Sequence, residues 1–422
     1  MKIGIQTWGS DGDIRPFLAL AGGLSAAGHD ISVVVTSVDQ KDYSQFGEKL
    51  HFSVSHVGKL EYPDDYLVNF GVGMRNTRIP IKQLKMIFRD FFDPVVPEMY
   101  AAALKLSFAN DLIIGHGVHH PARAAAEKTH RPYVTVSLTH SGIASRYITP
   151  MGFPDIGNWA NPLWWRICDL IVDSALRPEV NRLRKREGLP PVKHLLKEVW
   201  TSERLNLIAV SSALFRKPPD WSAAQQVCGF FSMKECQEKW DVPADLKEFI
   251  AAGPPPVYLT VGSMLSLDPH PQAITRLLVD ASRLAGCRAI VQSRWDELPE
   301  IPDDPALYKI GVTPHQHIFK HCAAVVHHGG AGTSQTALLH GCPCVIIEHL
   351  GDQIFWAHEL QRIGVATKPL HRRNITSEKL ARAIRSVLDN PAMKKKAEKT
   401  GAFMRSENGV ERACSSIKNH FS

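Results

Sequence analysis

Residues 325–341 read VVHHGGAGTSQTALLHG. An apolar strand ends on His327 and His328, then Gly329, Gly330 and Gly332 make a turn, and Thr333 begins a helix. One glycine suffices for a strand-to-helix corner; extra ones remove side chains where the backbone must lie against something large. The first turn of the helix offers unpaired N–H groups and the positive end of its dipole, so the corner suits a phosphate. An imidazole at the strand tip adds a donor to the same anion. A glycine-rich turn with two surface histidines has the same pattern, and the neighbourhood argues against it.

That neighbourhood begins with CVIIE, a strand, followed by HLGDQIFWAHEL, with Asp352 and Gln353 at the start of another helix. Both residues therefore fall on the same carboxyl-end edge as the glycine corner. A carboxylate beside a carboxamide accepts from and donates to vicinal hydroxyls, although Asp is also an ordinary helix cap. A phosphate corner with a polyol reader on one edge points to a nucleotide sugar.

Working outward, the chain reads as strand, helix and strand throughout. Residues 2–8 and ISVVVT (31–36) are strands, and PFLALAGGLSAAGH between them is a helix with Pro16 near its first turn and a stop at Gly28. The pattern recurs at 112–115, 122–128 and 133–138. In the second half VYLTVGS (257–263) is nearly continuously apolar, as a strand covered on both faces must be. The expected fold is α/β, with two Rossmann-like doubly wound domains facing across a cleft. The proline-rich RKPPDW (216–221) sets the expected division: 1–220, then 221–401, with a C-terminal helix in 402–422 packing back toward the first domain.

Composition narrows the partners. At 422 residues, 44% apolar and 22% charged, the chain suits two globular domains. It contains no apolar run of membrane-spanning length and no signal-type leader, so the expected location is cytoplasmic. The eight cysteines lack CxxC pairing and are expected to be reduced. A net charge of +7 favours acidic ligands or an anionic membrane surface and is too evenly spread for nucleic acid. HHP (119–121) and HQH (315–317) lack matched ligand pairs, so no metal site is expected.

VTPHQHIF, AAVVHHGGAGT, HGCPCVIIEHLGDQ and RIGVA, in this order and spacing, resemble the donor-binding signature of the UDP-glycosyltransferases (family 1, GT-B fold). GSDGDIRPFLALAGGLSAAGHDISVVVT resembles the acceptor-side opening of the bacterial, antibiotic and sterol glucosyltransferase branch, while residues 40–110 carry little of the likeness. The resemblance implies that His327 contacts the diphosphate, with Gly330, Gly332 and Thr333 donating beside it. It implies that Asp352 and Gln353 read the sugar and that Ser263, in the family's glycine-serine pair, donates from the opposite side. Plant members stack the base on a tryptophan where this chain has Val312 to His315; the Val312 backbone or Trp295 would meet the base instead. Gln335 stands where many members use an acid on the ribose, so thymidine-linked donors stay open beside UDP.

The resemblance makes Asp13 the catalytic base, where relatives of this branch place an aspartate. Its position after strand one suits that role, and a plain helix cap is the alternative. A helix N-terminus is expected to lower its pKa. Asp11 and Asp13 spell DGD, which imitates a metal-binding DxD, but the phosphate corner lies in the other half of the chain, so metal independence is expected. Ser10, His116 and Trp159 are the acceptor-side candidates. The segment 140–167, rich in Gly, Pro and Trp, suits an apolar acceptor or ordinary aromatic packing. IKQLKMIFRDFF (81–92) reads as a basic amphipathic helix that packs on the core, with peripheral membrane contact as the second reading.

The expected activity is inverting transfer of a hexose, glucose first, from a UDP-sugar to a hydroxyl of an apolar acceptor such as a sterol, lipid, polyketide or polyphenol. No cofactor beyond that donor co-substrate is implied. A TDP-sugar-dependent transferase or a rhamnosyltransferase is the alternative. An NAD or FAD oxidoreductase is disfavoured because GSDGDI lacks the GxGxxG spacing. A sugar-nucleotide epimerase would need further acid and base groups.

Overall fold

The structure is a computed structural model and describes residues 1–63, 65–77, 79–233, 240–265, 268, 270–293, 295, 303–349 and 351–421; the side chains of Ser263 and Met264 fall outside the description. Contacts divide the chain into two compact units. The first comprises residues 1–61, 79–237 and 407–422, and the second 62–78 and 238–406.

The first unit is built on a parallel sheet of β1 (Lys2–Gly9), β2 (Asp30–Ser37), β3 (Ser53–His56), β4 (Leu112–His116), β5 (Tyr133–Ser137), β6 (Leu205–Ile208) and β7 (Gln225–Val227). Their order is β3-β2-β1-β4-β5-β6-β7, with Ile5 of β1 beside Val33 on one side and Ile114 on the other. Ile3, Ile5, Val33, Val35, Leu112 and Ile114 are buried because helices cover both faces of the sheet. The unit runs past residue 220 because β7 is its edge strand, paired with β6.

The second unit has a parallel sheet of β8 (Val257–Leu259), β9 (Ala289–Gln292), β10 (Leu307–Ile310), β11 (Ala324–His327), β12 (Cys344–Glu348) and β13 (Leu370–His371), in the order β10-β9-β8-β11-β12-β13. β8 is shorter than the apolar run 257–263 suggests. Gly262 adopts φ +57° and turns the chain, its N–H donating to Thr260 Oγ1 at 2.9 Å. The segment Tyr66–Asn76 is a helix of this unit. Arg75 bonds Asp268 at 2.7 Å, and Arg372 reaches the same carboxylate at 3.0 Å, while Asp268 is buried.

Both sheets contain a reversal point. β1 is followed by a helix leading to β2 on one side, while β4 lies on the other; β8 and β11 have the same relation. Loops leaving two such neighbours diverge and open a crevice at the carboxyl ends. Asp13 and His116 follow β1 and end β4, and Gly262 and His328 follow β8 and β11.

Helix Gly409–Phe421 packs on helix Asp11–Ala26, where Gly23 leaves no room for a side chain beneath Val410. Just ahead of it, the buried Glu407 carboxylate accepts from the hydroxyls of Ser211 and Ser212 and, at 2.7 Å, from the Ser212 N–H. Among the described residues no helix is long and apolar enough to cross a membrane. Glu407→Ala removes a buried acceptor from three donors and should lower unfolding free energy by roughly 3 kcal/mol, measured by urea denaturation.

Candidate active site

In the first unit, Ser10 ends the strand run and Asp13 sits in the first turn of helix Asp11–Ala26. The Ser10 N–H and hydroxyl donate to Asp13 Oδ2 at 2.9 and 3.0 Å. Gly9, at φ +137°, has no Cβ because one would lie 2.5 Å from Asp13 Oδ2. One carboxylate oxygen is thereby fixed, and among the described residues no hydrogen bond ends on Oδ1. Asp13 keeps some surface open, yet its carboxyl group is densely surrounded. Burial raises its pKa, partly offset by His116 and by the Ser10 bonds. The expected lowering by the helix terminus is outweighed, because lost hydration exceeds what the dipole returns.

His116, at the end of β4, accepts the Val118 N–H on Nδ1 at 3.3 Å, and burial lowers its pKa while Asp13 raises it. Asp11 serves a different purpose. It bonds Arg15 at 2.7 Å, accepts from Tyr43 at 3.2 Å and lies 3.6 Å from Lys41, so the two carboxylates of DGD have separate partners. Trp159 is exposed. By contrast, Trp165 is buried with its indole N–H on the Ile148 carbonyl at 2.8 Å, and Trp164 packs on Phe153.

In the second unit, the two histidines of the quoted stretch part company. His327 is wholly buried, and its Nδ1 accepts the Gly329 N–H at 3.0 Å, which leaves Nε2 as a donor with no partner. His328 lies at the corner itself, half-buried, with its ring between Gly262 and Gly330. A Cβ on either glycine would fall 2.7 Å from Cε1 or 2.5 Å from Nε2. Successive residues of a strand point to opposite faces, so only one of an adjacent pair can occupy the mouth. The sequence reading named His327, which is buried, and did not name His328, which Gly262 and Gly330 make room for.

Gly330 precedes helix Ala331–Leu339, and among the described residues nothing accepts the N–H groups of Ala331, Gly332 or Thr333. Ser263 follows in the turn Gly262–Leu265. His315 lies near Gln292, Nε2 to Oε1 at 3.2 Å, and Thr260 donates to the same Oε1 at 2.7 Å. His349 donates Nδ1–H to the Ile347 carbonyl and leaves Nε2 unpartnered. Burial is the first cause that pushes His328 down to about 4 and His349 to about 3, and it holds His327 well below the ordinary value. The corner is thus lined with neutral imidazoles.

Helix Asp352–Arg362 packs on helix Ala331–Leu339, and Gly329 approaches the Gln353 backbone. Asp352 is exposed, whereas Gln353 is buried with Oε1 accepting the His349 N–H at 3.0 Å. Gln335 is buried and Val312 is 88% exposed. Trp295 is tied into the core edge, its indole N–H donating to the carbonyls of Ile310 at 2.9 Å and Val291 at 3.2 Å. Among the described residues the one group with metal-ligand spacing is Asp169, Asp173 and His194, far along the sequence from the corner. There His194 already bonds Asp169 at 2.9 Å, and Asp173 accepts the Leu195 N–H.

Residues 285–412 match the family described as erythromycin biosynthesis protein CIII-like, C-terminal domain. A sterol 3-beta-glucosyltransferase of Arabidopsis thaliana is 28% identical over all of this chain and 66% of its own length. The O-mycaminosyltylonolide 6-deoxyallosyltransferase of Streptomyces fradiae is 28% identical over 98% of this chain and 96% of its own. The chain has the GT-B fold. The kitacinnamycin glycotransferase superposes with a TM-score of 0.72 at 17% identity, covering 100% of this chain and 99% of that one. A Streptomyces sp. SF2575 glycosyltransferase solved with thymidine diphosphate superposes with a TM-score of 0.63 at 18% identity, over 99% of both chains. The chain spans just under two thirds of the plant relative and about all of the Streptomyces fradiae one.

Two measurements check this geometry. Burial of a charge that raises the Asp13 pKa costs stability while the group is ionised. Asp13→Asn should therefore melt at or above wild type near neutral pH, and the gap should close as pH falls toward the ordinary Asp value of 3.8. Gly330→Ala displaces His328 without removing a donor side chain and should weaken nucleoside diphosphate binding by roughly tenfold, read by calorimetry.

Proposed function

We propose that the protein transfers a hexose, with inversion, from a nucleoside diphosphate sugar to a hydroxyl of an apolar acceptor of the sterol or macrolide kind. The observation that carries this reading is the corner itself, with three helix N–H groups and His328 Nδ1 that have no partner among the described residues. Such preorganised donors stabilise charge that grows on a leaving diphosphate more than charge already present in the donor.

In the proposed step the acceptor oxygen attacks the anomeric carbon, the bond from that carbon to the diphosphate oxygen breaks, and the acceptor proton passes to Asp13 Oδ1. The raised pKa makes Asp13 a better base than a free aspartate, and the fixed Oδ2 sets its direction. His116, whose field favours the charged form of Asp13, would act as a positioning residue. Gly330, Gly332, Thr333 and His328 would hold the diphosphate, with Ser263 opposite, Asp352 and Gln353 would read the sugar, and the Val312 backbone would meet the base. Asp11 is already satisfied by Arg15, Tyr43 and Lys41, which supports a metal-independent step. A cytoplasmic location fits the free thiols of Cys168, Cys228, Cys287, Cys322, Cys342 and Cys344.

UDP-glucose is the donor proposed first. A TDP-sugar is the second reading, favoured by the thymidine diphosphate in a fold neighbour. UDP or TDP should raise the melting temperature without added metal, and NAD or FAD should not. With an acceptor present, Asp13→Asn should lower kcat by roughly a hundred- to ten-thousandfold while keeping the nucleotide shift. Loss of both together, or a shift with NAD alone, overturns the assignment.

A further inference from the structure

Helix Asn161–Arg186 presents an unusual outer face. Leu163, Arg166, Leu170 and Ser174 recur at three- and four-residue spacing, and all are exposed, with Ile171 beside them. Leu163 is 53% and Leu170 68% exposed, and Trp159, in the loop just ahead, is 73% exposed. Solvent-facing helix surfaces ordinarily carry charge, and a contiguous run of large apolar groups marks a contact site.

Cations outnumber acids among the exposed charges nearby. Helix Pro80–Ile87 packs against helix Asn161–Arg186 and exposes Lys82 and Lys85. Arg146 and Arg166 are exposed as well, and among the described residues no ion pair takes any of these four cations. The adjacent acids bond elsewhere and none pairs with these four cations: Asp155 accepts the Gly157 N–H, Asp220 accepts the Arg146 backbone N–H, Asp169 faces His194, and Asp90 pairs with Arg89. The phenylalanines of residues 81–92 point inward, with Phe88, Phe91 and Phe92 buried and Phe88 and Phe92 against Trp8. That helix therefore offers cations without competing for the apolar contact.

We propose that this face is a docking surface for an anionic lipid bilayer, with Trp159, Leu163, Leu170 and Ile171 entering the headgroup boundary and Lys82, Lys85, Arg146 and Arg166 meeting lipid phosphates. Apolar burial plus attraction to anionic lipid is the physical basis of interfacial binding. The uncompensated cations select a bilayer over a second copy of the chain, which would bring like charges together. The proposal is independent of the sugar-transfer reading.

The test is co-sedimentation of the full chain with vesicles of phosphatidylcholine and phosphatidylglycerol in equal parts, and with phosphatidylcholine alone. Binding is expected to the anionic vesicles, weakened by salt. Lys82→Glu with Lys85→Glu should lower the partition coefficient by roughly tenfold or more, and Leu170→Ser with Ile171→Ser should lower it comparably. Circular dichroism melts confirm that both variants fold, as exposed substitutions should. Equal binding to both vesicle types, binding unchanged by either variant, or no binding overturns the proposal. So does a wild-type dimer in light scattering that Leu170→Ser with Ile171→Ser dissociates, since the face would then be a contact between copies.

Discussion

A parallel sheet whose strand order reverses sends the loops of two neighbouring strands to opposite faces, and the gap left between them cannot be filled by either loop. In this chain that constraint acts twice. In the first unit the gap lies between β1 and β4 and receives Asp13 and His116; in the second it lies between β8 and β11 and receives Gly262 and His328. The proposed chemistry is carried by residues that the sheet cannot close over. Each gap also abuts the first turn of a helix, so the N–H groups that secondary structure leaves unpaired face the place where a ligand enters.

Burial then decides the character of each gap. Lost hydration keeps the histidines of the second unit neutral, and it lifts Asp13 despite the Ser10 bonds and the helix terminus that favour its charge. One environment thus yields donors that carry no fixed charge before a ligand arrives, and the other yields a carboxylate more basic than usual.

The elements that create the gaps were legible in the sequence, since continuous apolar runs such as ISVVVT and CVIIE and the glycines after them record strands and turns directly. The placement of Asp13 was legible for the same reason, a few residues beyond a strand. What the sequence could not supply was phase and reach. Nothing in VVHHGG says which histidine points into the sheet, and the answer came from Gly262, which lies in a different loop. Nor does local sequence report that the Trp295 N–H is held by the carbonyls of Val291 and Ile310. The sign of the Asp13 shift was read wrongly because local sequence reports the helix terminus and not the density of atoms packed around it.

The path of the chain has a consequence for recombination. It passes between the units at residues 61/62, 78/79, 237/238 and 406/407, so neither unit is a continuous stretch. A hybrid joined once near the middle would inherit helix Tyr66–Asn76 from one parent and its partner Asp268 from the other, and helix Gly409–Phe421 apart from the Gly23 seat it fits. Exchange of whole halves among relatives is therefore constrained by two small borrowed segments, and a donor-side graft retains its internal ion pairs only if residues 62–78 travel with it.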